Sequence, residues 1–307
     1  MVELKTRAAP GVRVVVAISV VLVLYSYLVA LWLNRHGYSP AILVAIRDWL
    51  NKPSGISDDF GVLGVSLLLM VAGFRVAQGI PVRRTLAATL PVLVVAAVVG
   101  AVVWFAGGEP YAGLAWPIGV AALAAALVLA THRLPPAGGL AVQLVVFGDL
   151  MLLGAQGSAP LHQLGLLAGF TPLFLLGEIL WSVRSGRISA YAGGALGGAA
   201  FVILFLTEHR YPEWHGFWYP VTALYALLIF MLALPSGQVA GETALVRWLS
   251  SRALWLIAAA CVLGWPVLGL AYHDLPLPVS LAVAVLVTGA AAEAGYRFVE
   301  RPLGGVR

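Results

Sequence analysis

The sequence predicts an all-α, polytopic membrane protein that forms a single integral membrane domain over residues 1–307. Three observations support this prediction. Hydrophobic residues make up 61% of the chain and charged residues only 10%, whereas soluble domains are about half apolar and about a quarter charged. Apolar runs of about 20 residues, the length of a helix that spans a bilayer, recur along the whole chain. Most of the basic residues lie in every second segment that connects these runs or near the two termini.

Ten apolar runs are candidate membrane-spanning helices. They cover residues 14–33, 60–80, 86–107, 114–131, 139–157, 161–183, 188–207, 216–235, 253–272 and 277–298. The longest segments between them are 34–59 and 236–252, so no soluble catalytic domain fits between the spans. Within the first of these segments, apolar residues from Ile42 to Leu50 recur at helical spacing, which predicts an amphipathic helix at the outer membrane interface.

The distribution of basic residues predicts the orientation. With the N-terminus in the cytoplasm, 14 of the 18 Lys and Arg residues lie inside, and only Arg35, Arg47, Lys52 and Arg210 lie outside. This asymmetry satisfies the positive-inside rule and supports an even number of spans, with both termini cytoplasmic. The basic balance therefore orients the chain in a lipid bilayer and does not indicate a nucleic acid partner. A bias toward Ala, Gly, Val and Arg suggests a GC-rich bacterium and its cytoplasmic (inner) membrane.

Charged residues inside the membrane are the first place to look for function. Glu293 precedes Arg297 by one helical turn, so an ion pair at the cytoplasmic interface accounts for it. Asp149 lies near the middle of its span, and no basic residue occurs on that helix. We predict that Asp149 is buried, protonated and hydrogen-bonded to a neighbouring helix. The alternative is a proton or substrate site.

A polar segment follows the seventh span. Residues 208–216 combine His209 and His215 with two carboxylates and two aromatic side chains. A histidine and carboxylate pair could serve as a general base, and aromatic rings could bind sugars. The alternative is a turn within an interfacial aromatic belt. The chain has one cysteine and no H-E-x-x-H, G-x-S-x-G or phosphate-loop pattern, so neither a metal site nor a permanently bound cofactor is predicted.

Four stretches, in matching order, resemble the acyltransferase 3 family, polytopic membrane enzymes that O-acylate bacterial surface glycans and some natural products. Residues 296–303, YRFVERPL, are similar to the closing signature of that family. Residues 60–74 resemble its second span, residues 173–177 a later span, and residues 263–268 a segment that contains tryptophan-proline. The resemblance implies a ten-helix bundle and acyl transfer from acyl-CoA to a hydroxyl of an envelope glycan, a lipid or a small molecule.

The chain departs from the family at its usual histidines. The first span of the family carries a histidine thought to be the general base, and this chain has Leu24 there, beside Tyr25. The histidine that the family places before tryptophan-proline is Gly264 here. The resemblance therefore implies a divergent member whose base would come from four remaining candidates, namely Tyr25, Asp149, His209 and His215.

The resemblance also implies a donor site at the cytoplasmic face. Arg75, Arg83 and Arg84 could bind the phosphates of acyl-CoA, since guanidinium groups hold phosphates through paired hydrogen bonds. Alternatively, Arg83 and Arg84 only enforce topology. Three functions stay open: an acyltransferase, a catalytically degenerate subunit that assists a membrane protein partner in assembly, regulation or passage, and a metabolite exporter. The exporter predicts two similar halves, and residues 1–157 and 158–307 show no repeat.

Overall fold

The computed structural model describes residues 10–56, 58–79, 82–111, 113, 115–211, 219–236 and 240–304, with the backbone alone at 82–88, 236, 303 and 304. Every regular element in these ranges is helical. The helices are α1 (Pro10–Arg35), α2 (Ala41–Ile46, continued by Arg47–Asn51 and Lys52–Ser54), α3 (Gly61–Ala77), α4 (Val82–Phe105), α5 (Ala115–Thr131), α6 (Pro136–Gly154), α7 (Ala159–Arg184), α8 (Ala190–Arg210), α9 (Tyr219–Ser236), α10 (Ala244–Ser251), α11 (Ala253–Asp274) and α12 (Leu277–Glu300).

The helices agree with the predicted membrane class. Among the described residues, six are long and apolar enough to cross a membrane, namely α1, α6, α7, α8, α11 and α12. Shorter apolar helices occupy the four other predicted spans, at Gly61–Ala77, Thr89–Phe105, Ala115–Thr131 and Tyr219–Pro235. The prediction of an all-α membrane protein is therefore confirmed, whereas ten complete crossings remain a prediction.

Helix α7 forms the centre of the bundle. It packs against α3, α5, α6 and α8, and its apolar stretch is the most buried of the six long helices. Two glycines make its contact with α3 close. A Cβ on Gly73 would meet the backbone of Phe174, and a Cβ on Gly177 would meet the backbone of Met70. Since lipid supplies little hydrophobic drive for association, such close contacts provide much of the packing energy between membrane helices.

Of the π-helical turns in the described residues, those of α1 and α11 lie at the same level of the bundle. The turn of α1 covers Ser26–Leu31, that of α11 covers Ala260–Gly264, and the two turns contact each other. Pro266 explains the second turn, because proline has no N–H to donate to the preceding helical turn. Single π-helical turns inside longer helices frequently mark functional sites.

The short helix α10 is fastened to α12 at the predicted cytoplasmic end. The carboxylate of Glu293 accepts hydrogen bonds from Trp248 Nε1 at 2.8 Å, from an Arg252 terminal nitrogen at 3.1 Å and from Arg297 Nε at 2.5 Å. The Arg252 guanidinium also lies 4.2 Å from the centre of the Tyr296 ring. The pair of Glu293 and Arg297 expected from the sequence therefore forms, and the C-terminal signature helps to hold α10 in place.

Candidate functional site

A cavity of about 380 Å³ lies where α1 ends and α3 begins, at the end of the bundle that the predicted orientation places outside. Its walls come from the π-helical turn of α1, from α2, from the loop before α3 and from the starts of α5 and α9. This volume suits a small ligand or the head of a larger one. The aromatic lining residues are Tyr25, Tyr27, Tyr38, Tyr111, Trp116 and Tyr219, and the polar ones include Ser26, Asn34, Arg47, Asp58 and Asp59.

Asp59 is the central ionisable group of this cavity. Its carboxylate accepts a hydrogen bond from the Gly61 N–H at 2.5 Å and one from the Ser26 hydroxyl. Burial raises the pKa of the Asp59 carboxyl, these two bonds partly oppose the rise, and the charge of Asp58 adds to it. Part of the Asp59 side chain stays open to the cavity. Because its proton affinity is raised, Asp59 is a stronger base than an ordinary surface aspartate.

Tyrosines surround this carboxyl. Tyr25 packs near the start of α3, with its ring centre 5.9 Å from that of Phe60. Helix α11 holds Tyr111 in place. The Tyr111 N–H donates to the Cys261 carbonyl at 2.9 Å, and the Tyr111 ring stacks on that of Trp265 with 4.5 Å between ring centres. Burial raises the pKa of Tyr111 to about 12, so its hydroxyl stays protonated at neutral pH. The cavity thus combines O–H donors, flat ring faces and a carboxylate, a set suited to a hydroxyl-rich ligand.

Helix α2 forms one wall of the cavity. Leu43 and Arg47 line the cavity, whereas Ile42 and Trp49 point away from it and are 69% and 85% exposed. The predicted helix therefore forms, with apolar residues exposed on the face away from the cavity, and its position at the membrane interface remains a prediction. Asn51 joins α2 to the following loop by donating to the Asp58 carbonyl at 3.2 Å.

Of the three candidate bases that the structure describes, only Tyr25 lines the cavity. His209 is exposed near the end of α8, with its ring 6.4 Å from that of Phe205, and His215 lies outside the described residues. The prediction that Asp149 is buried and hydrogen-bonded is wrong: its side chain is exposed on the outward face of α6. The error arises because α6 is apolar on all sides, so the sequence pattern does not show which face packs inward.

The three predicted donor-site arginines lie at the other end of the bundle. Arg75 is half-buried in the last turn of α3, and within the described part of the chain its Nε has no hydrogen-bond partner. Arg83 and Arg84 occupy the first turn of α4, where the structure describes the backbone alone. Arg75 is not among the residues that line the cavity. Binding of acyl-CoA at these residues therefore stays a prediction.

At the two positions where the family has histidines, neighbouring side chains fill the space. A Cβ on Gly264 would meet the side chains of Thr288 and Leu28, and Leu24 is half-buried against the main core. No histidine occurs among the described residues that line the cavity. Sequence reasoning missed Asp59, although an acidic pair directly before the apolar run at 60–80 was the available signal.

No protein-family model, curated protein or solved structure matches the chain. The resemblance to the acyltransferase 3 family thus continues to rest on short motifs. One of them, residues 263–268, includes Trp265, which stacks on the cavity residue Tyr111. Another, residues 60–74, begins beside Asp59 and contributes Gly61, Val62 and Val65 to the cavity wall.

Proposed function

We propose that the protein is a ten-span enzyme of a bacterial cytoplasmic membrane, with both termini inside, that transfers an acyl group from acyl-CoA to a hydroxyl. The acceptor is an envelope glycan, a lipid or a natural product whose hydroxyl enters the cavity. The observation that carries the proposal is the carboxyl of Asp59, held by Ser26 and Gly61 and open to a cavity of ligand size. The motif resemblance supports acyl transfer, and the distribution of basic residues supports the orientation.

The proposed reaction uses Asp59 as a general base. Asp59 takes the proton of the acceptor hydroxyl while that oxygen attacks the thioester carbonyl carbon of acyl-CoA, whose pantetheine arm would extend through the bundle from the arginines at its other end to the cavity. The new C–O bond completes an ester, the C–S bond breaks, and the coenzyme leaves as a thiolate that takes up a proton from water. Asp59 then gives its proton to the hydroxide so formed, which restores the base. General base assistance of this kind contributes roughly 100- to 10,000-fold to a rate. Tyr25 and Tyr111 bind further hydroxyls of the acceptor through their O–H groups.

A degenerate acyltransferase-like protein is the second candidate. It is favoured by Gly264, whose position has no room for an imidazole without moving Thr288 and Leu28. Such a protein would keep the cavity as a binding site and assist a membrane protein partner in assembly, regulation or passage. Binding of acceptor and donor would then persist without ester formation.

One experiment separates the two candidates. Purified full-length protein in phosphatidylcholine vesicles is incubated with labelled acetyl-CoA and an envelope glycan extract, and both free thiol and labelled ester are measured. We expect equal amounts of thiol and ester, and weaker acetyl-CoA binding by an Arg83→Ala, Arg84→Ala double variant. Binding without ester formation would favour the degenerate subunit. If turnover depended on His209 or His215, that histidine and not Asp59 would be the base. Absence of both binding and turnover would contradict both candidates.

A further inference from the structure

The outward face of α6 carries a carboxylate in an otherwise apolar stripe. Val142, Val145 and Leu152 are 41%, 62% and 42% exposed, and Asp149 is exposed between the last two. The opposite face of α6 packs on α7. Because the other exposed members of the stripe are hydrocarbon side chains, this face meets lipid or another protein and does not meet water.

Asp149 is well inside the apolar part of the helix. It precedes Gly154, the last residue of α6, by five positions, or about 7.5 Å along the axis, and it follows Pro136 by about 20 Å. Ionisable side chains at such depth almost always pair with another group, because hydrocarbon does not solvate a charge. Within the described part of the chain no side chain bonds to Asp149, and α6 itself contains no Lys, Arg or His.

We propose that this face of α6 binds a transmembrane helix of a second membrane protein, and that a Lys or Arg of that helix pairs with Asp149. Charge complementarity selects this partner. A second copy of the chain that packed through the same face of α6 would bring another Asp149 and no cation, and lipid tails carry no charge. The flanking Val145 and Leu152 supply the apolar packing around the pair. This proposal is independent of the proposed function.

The test uses a synthetic helix as the probe. Full-length protein with a donor fluorophore is reconstituted in phosphatidylcholine vesicles with an acceptor-labelled peptide of 20 or so Leu and Ala residues. The peptide carries one Lys about a quarter of its length from the outer end, and a control peptide has Leu there. We expect the Lys peptide to associate roughly three- to thirtyfold more tightly, the range that interhelical polar contacts contribute in membranes.

Variants of the chain show whether Asp149 is responsible. The preference for the Lys peptide should disappear in Asp149→Leu and persist in Asp149→Glu. The Asp149→Lys variant should instead prefer a peptide that carries Asp at the same position. Val145→Leu is the matched control and should leave the preference intact. Circular dichroism and melting temperature establish that each variant is folded. Because Asp149 has no partner within the described chain, unfolding of both Asp149→Leu and Asp149→Asn would contradict the proposal.

Two further results would overturn it. Equal association of the Lys and Leu peptides with the unmodified protein would show that the face does not recognise a cation. Energy transfer between labelled copies of the chain, lost in Asp149→Leu and unaffected by either peptide, would show that the face binds a second copy instead.

Discussion

The replacement Asp59→Asn should remove catalysis without destabilising the protein. The amide keeps the size of the side chain, and its oxygen can still accept from the Gly61 N–H and the Ser26 hydroxyl. Hydrogen bonds to a charged acceptor are worth about 1.5–3 kcal/mol and neutral ones about 0.5–1.5 kcal/mol, so the replacement gives up roughly 1 kcal/mol at each bond. Against this loss, burial of an ionised carboxylate costs several kcal/mol. The raised pKa of Asp59 shows that burial outweighs the bonds.

We therefore expect the melting temperature of Asp59→Asn at pH 8 to equal or exceed that of the unmodified protein. The sign follows from proton binding: a folded-state pKa above the unfolded value means that the folded protein binds more protons. Its stability then falls as pH rises from the unfolded pKa through the raised one. The advantage of the variant should shrink as pH falls through the same window. Thermal unfolding in detergent between pH 4 and pH 8 measures this.

A melting temperature several degrees lower for Asp59→Asn at pH 8 would refute the reasoning. It would show that the ionised carboxylate stabilises the folded protein, so that its hydrogen bonds outweigh the free-energy cost of its burial. Asp58→Asn is the matched control, because Asp58 also lines the cavity but is more exposed, and its replacement should change the melting temperature little. Most exposed substitutions stay within about 0.5 kcal/mol.

Two other predictions test the packing and the orientation. Gly177→Ala should lower stability by about 1–3 kcal/mol, as overpacking does, because its Cβ would meet the backbone of α3. In contrast, a Cβ at Gly197 would have no atom within 4 Å, so Gly197→Ala should stabilise α8 by up to about 1 kcal/mol. Equal melting temperatures for the Gly177→Ala and Gly197→Ala variants would contradict the close contact of α3 and α7. A cysteine at Ser236, in a Cys261→Ala background, should resist an impermeant thiol reagent in whole cells, and its labelling would overturn the predicted orientation.

Local patterns in the sequence predicted the elements that depend on local interactions. The length of apolar runs predicted the helices, since a helix satisfies its own backbone hydrogen bonds wherever lipid surrounds it. Helical spacing predicted α2, whose Trp49 is exposed while Leu43 lines the cavity. Spacing of four residues also predicted the pair of Glu293 and Arg297, because such residues are neighbours on a helix.

The cavity and the facing of individual helices depend on contacts that sequence spacing does not encode. Asp59 gains its partner Ser26 from a helix that ends 24 residues before it, so no local pattern joins the two. Asp149 was expected to pack inward because of its charge, yet α6 has apolar residues on every side and little basis for choosing a face. Which side of a membrane helix packs inward is instead determined by the neighbouring helices, as glycines determine the contact of α3 with α7.

The most direct test of the central claim compares ester formation by Asp59→Asn and Asp58→Asn with that of the unmodified protein. Both residues line the cavity, and only Asp59 bonds to Ser26 and Gly61. The account predicts that Asp59→Asn slows transfer of labelled acetyl groups to the acceptor roughly 100-fold or more, with unchanged acetyl-CoA binding, while Asp58→Asn stays within a few-fold. Undiminished transfer by a folded Asp59→Asn variant would contradict the claim that this cavity is the site of acyl transfer.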